Sequence, residues 1–484
     1  MIFNSITFLA FFISVFIIYY FPLKKNTKAQ NWLLLLSSYF FYGFANWRII
    51  PILLVATIII FFLGRTINKT NNEKKSSLLT TLGVLTCVGL LVYFKYFNFF
   101  IESFSSLFNS IGLKTNIGTF NIIMPLGISF FTFKLISYII EIQRGKIEHC
   151  NDFIIFSTYI SFFPTILSGP IDRPNAFIPQ LQKKRLFDYT LVIDACRQIL
   201  WGLFLKAVIA DNLAIVVDDA WGDIPNQSGI FLFNAIFLYS IQLYTDFSGY
   251  SHMAIGVGKF FGFHVIKNFN YPYFSRNVAE FWRNWHMSLT SWLTDYVFMP
   301  LNIKFRNLGD LGIILAITIN MIIVGIWHGP KWTFVLFGLY NGLLYIPLIL
   351  SGSFFKNKKL KTNKYDLPKI RDLLKIGGTF TILSIGFVIF KAEDLNQAYK
   401  FYQGIFDLSF DEIPKVYARA TVPIILSVLL FVVEWFARGT EFPLSSLEKK
   451  ISKPFIRWSI YSFLIFVIGM YMVTEGSPFI YFQF

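Results

Sequence analysis

Twelve stretches of this chain are apolar over lengths that approach or exceed the roughly 18 to 20 residues a helix needs to cross a bilayer core. They run over residues 5–22, 31–47, 49–64, 77–94, 121–140, 190–208, 228–245, 311–327, 333–350, 376–391, 421–437 and 457–474. Backbone polar groups at membrane depth find no water, so such runs predict α-helices that satisfy their own hydrogen bonds. Hydrophobic residues make up 55% of the 484 and charged ones only 14%. The expectation is one polytopic, all-α membrane domain over residues 1–484, without a separate soluble domain and with about 11 to 13 transmembrane helices.

The formal net charge of +16 does not mark a nucleic-acid binder, because the basic residues lie in short segments between apolar runs. That is how orientation signals are distributed. The basic loops are Lys24 to Lys28, Arg65 to Lys75, Arg144 to Lys146, Lys183 to Arg185, Lys356 to Arg371 and Arg438 to Lys453. Placing them in the cytoplasm puts the acidic segment "DNLAIVVDDAWGD" (Asp211 to Asp223) and both termini outside. The alternation closes only if 144–190 and 249–310 hold re-entrant or cytoplasmic-side elements. Pro164, Gly169 and Pro170 break the first of these. No Lys or Arg precedes the run Ile6 to Phe21 and no small-residue cleavage site follows it, so it reads as an uncleaved span. Cys87, Cys150 and Cys196 are too scattered for a disulfide framework or a zinc motif, and no metal is expected.

Two histidines stand out among only five. His328 closes the run "LGIILAITINMIIVGIW", whose only clearly polar side chain is Asn320, and Gly329 and Pro330 follow it. The proline lacks an N–H and disfavours helix at the residue before it, so the helix is expected to end or kink at His328. His286 lies in "EFWRNWHMSLTSWLTDY". There Trp282, Trp285, His286, Leu289, Trp292, Leu293 and Tyr296 recur at three- and four-residue steps and predict one face of an interfacial helix. Tryptophan anchoring explains that face, but it does not call for an imidazole. Ionisable groups at membrane depth are functional-site hypotheses by default, and imidazole is suited to moving a proton near pH 7.

In ordered blocks over nearly its whole length, the chain resembles the membrane-bound O-acyltransferases, in the branch of the membrane subunit of bacterial alginate O-acetylation. The blocks include "PLGISFFTFKLISYIIEIQRG" (Pro125 to Gly145), "SFFPTILSGPIDRP" (Ser161 to Pro174) and "YTDFSGYSHMAIGVG" (Tyr244 to Gly258). Later come "NYPYFSRNVAEFWRNWHMSLTSWLTDYVFMPL" (Asn270 to Leu301) and "GIWHGPKWTFVLFGLYNG" (Gly325 to Gly342). The resemblance implies a helical fold around a central tunnel, with His328 as the essential histidine and His286 as the second polar position of the site. It further implies acetyl-CoA as a cytoplasmic acyl donor, and an extracytoplasmic partner, an SGNH-type acetyltransferase or a polysaccharide-export protein. No permanently bound cofactor is implied. The block around Tyr244 has His252 where the family more often has Asp, which leaves Asp246 as its acid.

Acyl transfer from a thioester to a hydroxyl needs a base for the hydroxyl proton and donors for charge developing on the carbonyl oxygen. His328 is the expected base. His286, or the indole of Trp327 or Trp332, is expected to orient the acyl group, with Asp246 as a further substrate contact. The predicted function is membrane O-acetylation of an extracellular or periplasmic polysaccharide at a bacterial cell membrane. The rivals are D-alanyl transfer to teichoic acid and a non-catalytic lipid or glycan transporter. Weaker signals are a local Asp194–Arg197 ion pair, Lys134 inside a span, and Gly338-x-x-x-Gly342, which permits close helix packing. No P-loop, G-x-S-x-G or H-E-x-x-H motif occurs.

Overall fold

The computed structural model describes residues 1, 3–114, 118–356, 362, 365–406, 416–473 and 479–480. Residues 357–361 and 363–364 of the basic loop Lys356 to Arg371, and Thr474 at the end of the last apolar stretch, lie outside the described residues. Among the described residues there is no β-strand, only one isolated bridge between Thr362 and Pro368. Nine helices, beginning with Trp47–Lys69 and ending with Pro454–Tyr471, are long and apolar enough to cross a membrane among the described residues. The structure divides into two compact units, Met1–Ala195 with Ala254–Ile266, and Cys196–Met253 with Lys267–Phe484.

The first unit is built on α1 (Ile6–Tyr20), α2 (Thr27–Gly43), α3 (Ile50–Lys69), α4 (Glu73–Leu91), α5 (Phe97–Ser110), α6 (Ile128–Gln143), α7 (Phe153–Ser161) and α8 (Pro174–Gln182). Short polar side chains set the starts. Ser5 accepts from the Phe8 N–H, Asn26 from Ala29, Asn72 from Lys75 and Asp152 from Ile154, each satisfying a donor the helix leaves open. Helices α3, α4 and α6 pack on one another. The stretch expected at 121–140 becomes helical only from Ile128, because Gly127 is left-handed at φ 75 and caps the helix there.

Two of the buried cations in this unit, Lys134 and Arg185, tie its helices together. Lys134 on α6 donates to the Thr165 hydroxyl at 2.9 Å and to the Tyr159 carbonyl at 3.3 Å, so it holds the broken segment after α7. Arg185, expected as part of an orienting loop, is 5% exposed. Its guanidinium donates to the Leu181 and Gln180 carbonyls at the end of α8, to Tyr19 of α1 and to Asn31 of α2. A planar fork of five donors suits that many partners.

The second unit takes the end of α9 (Tyr189–Leu203), then α10 (Asp211–Gly222) and most of α11 (Gly229–Phe260). After them come α12 (Val278–Asn284), α13 (Met287–Leu293), α14 (Met299–Lys304), α15 (Gly309–His328), α16 (Trp332–Leu343) and α17 (Ile346–Leu350). The chain closes with α18 (Ile370–Lys391), α19 (Leu395–Phe406), α20 (Val416–Ala437), α21 (Leu447–Lys450) and α22 (Pro454–Tyr471).

The stretch expected to end near residue 245 instead runs on to Phe260 within α11, a helix of 32 residues. Its polar continuation stays helical because Asp246 is neutralised, its carboxylate lying 2.5 Å from Lys206 Nζ. Lys206 also meets Asp211 at 2.7 Å. The local pair expected between Asp194 and Arg197 does not form. Asp194 is claimed by the buried Lys259 at 2.5 Å and Arg197 by Glu448.

Candidate active site

Ile317, Asn320, Met321, Val324 and His328 follow one another on α15 by steps of one, three and four residues and so share a face. All five line a cavity of about 200 Å³, and His286 lines its other side. The cavity therefore runs along α15 from its last residue toward its N-terminal half. Arg283 also borders it and is exposed, which marks the rim.

α15 ends at His328 as its sequence requires, with Gly329 extended at φ −177. The His328 ring is held edge-on by Phe390 at 4.9 Å and by Trp327 at 5.0 Å between centroids. The α15/α16 hairpin beneath it depends on missing side chains. A Cβ on Gly325 would lie 2.1 Å from the Phe334 carbonyl oxygen, and one on Gly338 would lie 2.4 Å from that of Met321. The glycine spacing that was a weak packing signal is where the two backbones touch.

His286 corrects the expectation of one continuous helix over residues 280–296. The chain breaks between α12 and α13, with Trp285 extended and His286 left-handed at φ 42. A left-handed non-glycine residue costs about 1 to 2 kcal/mol, and such strain persists only where the surroundings over-determine it. Here Asn268 does so. Its carbonyl accepts the Met287 N–H at 2.8 Å, and its Oδ1 accepts the Ser288 hydroxyl at 2.8 Å and pairs with His286 Nδ1 at 3.0 Å.

Burial holds the His286 imidazole well below its ordinary pKa, and repulsion from His328 in its protonated form lowers it further. His286 is therefore neutral at pH 7. The Ser288 backbone N–H also points at Asn268 Oδ1, at 3.4 Å, which identifies that atom as the oxygen. Nδ1 of His286 is then the protonated nitrogen, and Nε2 carries the lone pair.

The other expected residues divide. Trp327 sits against both imidazoles, 5.7 Å from His286 and 5.0 Å from His328 between centroids, and positions them without lining the cavity. Trp332 is 55% exposed and lies outside the lining. Asp246 also lies outside it. Its carboxylate is occupied by Lys206 and by the Ile480 N–H at 2.9 Å. His252 meets Gln198 at 3.2 Å, away from the cavity. Two contributors carried little sequence signal. Asn320 was visible only as the one clearly polar side chain of its run, and Asn268 is 18 residues from the ring it holds.

A histidine pair facing a cavity inside an all-helical membrane body fits a membrane acyltransferase, and residues 145–376 match the profile of the membrane-bound O-acyltransferase family. The chain belongs to that family and is an O-acyltransferase, a multi-pass integral membrane protein. It is 34% identical over 416 residues to a probable alginate O-acetylase of Pseudomonas aeruginosa, covering 84% of this chain and 75% of that one. It is 31% identical over 438 residues to a peptidoglycan O-acetyltransferase of Helicobacter pylori, with 84% and 80% covered. A teichoic acid D-alanyltransferase of Streptococcus thermophilus matches at 32% over 317 residues, with 60% and 75% covered.

Proposed function

We propose that the protein transfers acetyl groups from cytoplasmic acetyl-CoA, through the cavity between His286 and His328, toward an extracellular or periplasmic polysaccharide. The observation that carries this reading is the cavity itself. Both histidines face one cavity that opens at Arg283 and continues along α15, the shape a thioester on a long arm requires. The exposed guanidinium of Arg283 at the rim suits a donor bearing phosphates.

In the proposed step the acceptor hydroxyl gives its proton to the neutral imidazole of His328 while its oxygen attacks the thioester carbonyl carbon. The carbon–sulfur bond then breaks, and the departing thiolate takes that proton from the imidazolium. His286, with its lone pair on Nε2, accepts a hydrogen bond; in this tautomer it does not donate one to the developing oxyanion. Its contribution is to orient a hydroxyl or water beside His328.

The acceptor is a surface glycan such as alginate or peptidoglycan, the polymers named for two of the relatives. An extracytoplasmic partner, SGNH-type or part of polysaccharide export, completes the transfer, and the membrane is the bacterial inner membrane. Purified protein in liposomes with labelled acetyl-CoA tests the chemistry. Wild type should release CoA, and His328→Ala should bind the donor without turning it over. Equal release by both proteins, with the fold intact, removes His328 from the mechanism. Release of D-alanine in place of acetate, from a carrier-protein donor, would favour the teichoic acid reading.

A further inference from the structure

Many polar groups on the cavity wall are already engaged. The Trp282 indole donates to Asn341 Oδ1 at 3.2 Å. The hydroxyls of Thr290 and Thr294 donate to the Trp285 and Thr290 carbonyls at 3.0 and 2.7 Å, and His286 is tied to Asn268. Asn320 differs. Its side chain is 7% exposed and lines the same cavity, and its Oδ1 has no hydrogen-bond partner among the described residues. A buried amide oxygen without a partner is unfavourable, and the apolar residues around it on α15 show what packing alone would select. A ligand that brings the missing donor accounts for the residue.

Position narrows the ligand. Asn320 and His328 share the cavity-lining face and are eight residues apart, so their backbones are separated by about 12 Å along the axis. With a thioester carbonyl at His328, the group facing Asn320 is the one roughly that far along the donor's arm. In an extended pantetheine-type arm the first amide is four bonds from the thioester carbon and the second is eight. At about 1.2 Å per backbone-like bond this gives about 5 and 10 Å. Only the distal amide reaches. A secondary amide is also the complement of an asparagine side chain, because its N–H meets Oδ1 and its carbonyl meets Nδ2.

We propose that Asn320 recognises the donor by hydrogen-bonding the distal amide of its pantetheine-type arm; this rests on the acetyl-CoA reading above. Asn320 is thereby a binding and specificity residue, and no bond is made or broken at it. It also gives the cavity a reason to prefer a full-length arm over a short thioester.

The test uses full-length protein in nanodiscs and three donors: acetyl-CoA, S-acetylpantetheine, and S-acetyl-N-acetylcysteamine, which lacks the distal amide. Asn320→Leu should lower kcat/KM about tenfold for the first two, mainly through KM, and less than twofold for the third. The leucine protein should melt no lower than wild type, because the amide oxygen it removes has no hydrogen-bond partner among the described residues. Should Asn320→Leu fail to fold, Asn320→Ser is expected to give the same pattern. A loss of equal size on all three donors, or none on acetyl-CoA, overturns the proposal. Wild type that cleaves none of the three overturns the donor reading itself, which is a different result from either.

Discussion

The second unit buries two polar groupings that look alike in the sequence and differ in the fold. Lys206, Asp211 and Asp246 form a closed cluster, with the ammonium 2.7 and 2.5 Å from the two carboxylates. His286 and His328 are as deeply buried but face a cavity of about 200 Å³. Charge burial alone therefore does not mark a site in this membrane body. The mark is a polar group turned toward open space, while a cluster that satisfies itself holds helices.

The comparison breaks most directly by removing one member from each grouping. His328→Gln should cost about 10²- to 10⁴-fold in turnover, the range for a lost general base, while the melting temperature stays near wild type. Lys206→Met should do the reverse at the level of cause. It leaves two carboxylates buried without their cation, a loss of about 3 to 5 kcal/mol, and should be seen first as a fall in folded yield on size-exclusion chromatography. A Lys206→Met protein that folds and melts normally but is inactive would erase the distinction and bring the cluster into the site.

Next in size is the hairpin that presents His328. Gly325→Ala forces a methyl against the Phe334 carbonyl and should destabilise by about 1 to 3 kcal/mol, as overpacking does. Gly377→Ala is the control, because nothing lies within 4 Å of a Cβ there. It should be neutral or slightly stabilising through helix propensity. Equal melting temperatures for the two variants would mean that α15 and α16 do not meet as closely as the structure has them.

The same contrast explains what was legible beforehand. Helices and the end of α15 at His328 follow from apolar run length and from proline chemistry, which are local, and each expected run overlaps a helix among the described residues. The break at His286 was hidden because the periodicity of its tryptophans is genuinely helical on either side. Asn268, 18 residues earlier, holds the left-handed turn in place. Asp246 looked like a site residue for a related reason. Nothing local reveals that Lys206, 40 positions earlier, will neutralise it. Local physics was readable, and side-chain pairings over long separations were not.

Asn268 supplies a smaller test of how the open site is held. Asn268→Ala removes the acceptor that fixes the His286 tautomer, and turnover should fall about threefold to tenfold, the worth of one hydrogen bond. The pH profile of kcat should shift as well, and Asn268→Ser should recover part of both. A uniform drop with an unchanged pH profile would reduce Asn268 to packing.

The smallest effect is a pH dependence of stability. Burial, helped by repulsion from His328 in its protonated form, keeps the His286 pKa well below the ordinary value of 6.5. An unfolded chain regains the ordinary value, so below pH 6.5 the unfolded state binds a proton that the folded state does not. Stability from this group is then fully present above the unfolded pKa and is lost as pH falls, with a limiting slope of about 1.4 kcal/mol per pH unit until the folded pKa is reached. At pH 6 the loss is about 0.8 kcal/mol. Thermal melts from pH 8 to pH 5 should show wild type losing stability more steeply than His286→Gln below pH 6.5, with parallel curves above it. Parallel curves throughout would mean that folding leaves the His286 pKa at its ordinary value. A His286 with the ordinary pKa is partly protonated near neutral pH, and in that form it would donate to the oxyanion instead of orienting a hydroxyl, with His328 still the base.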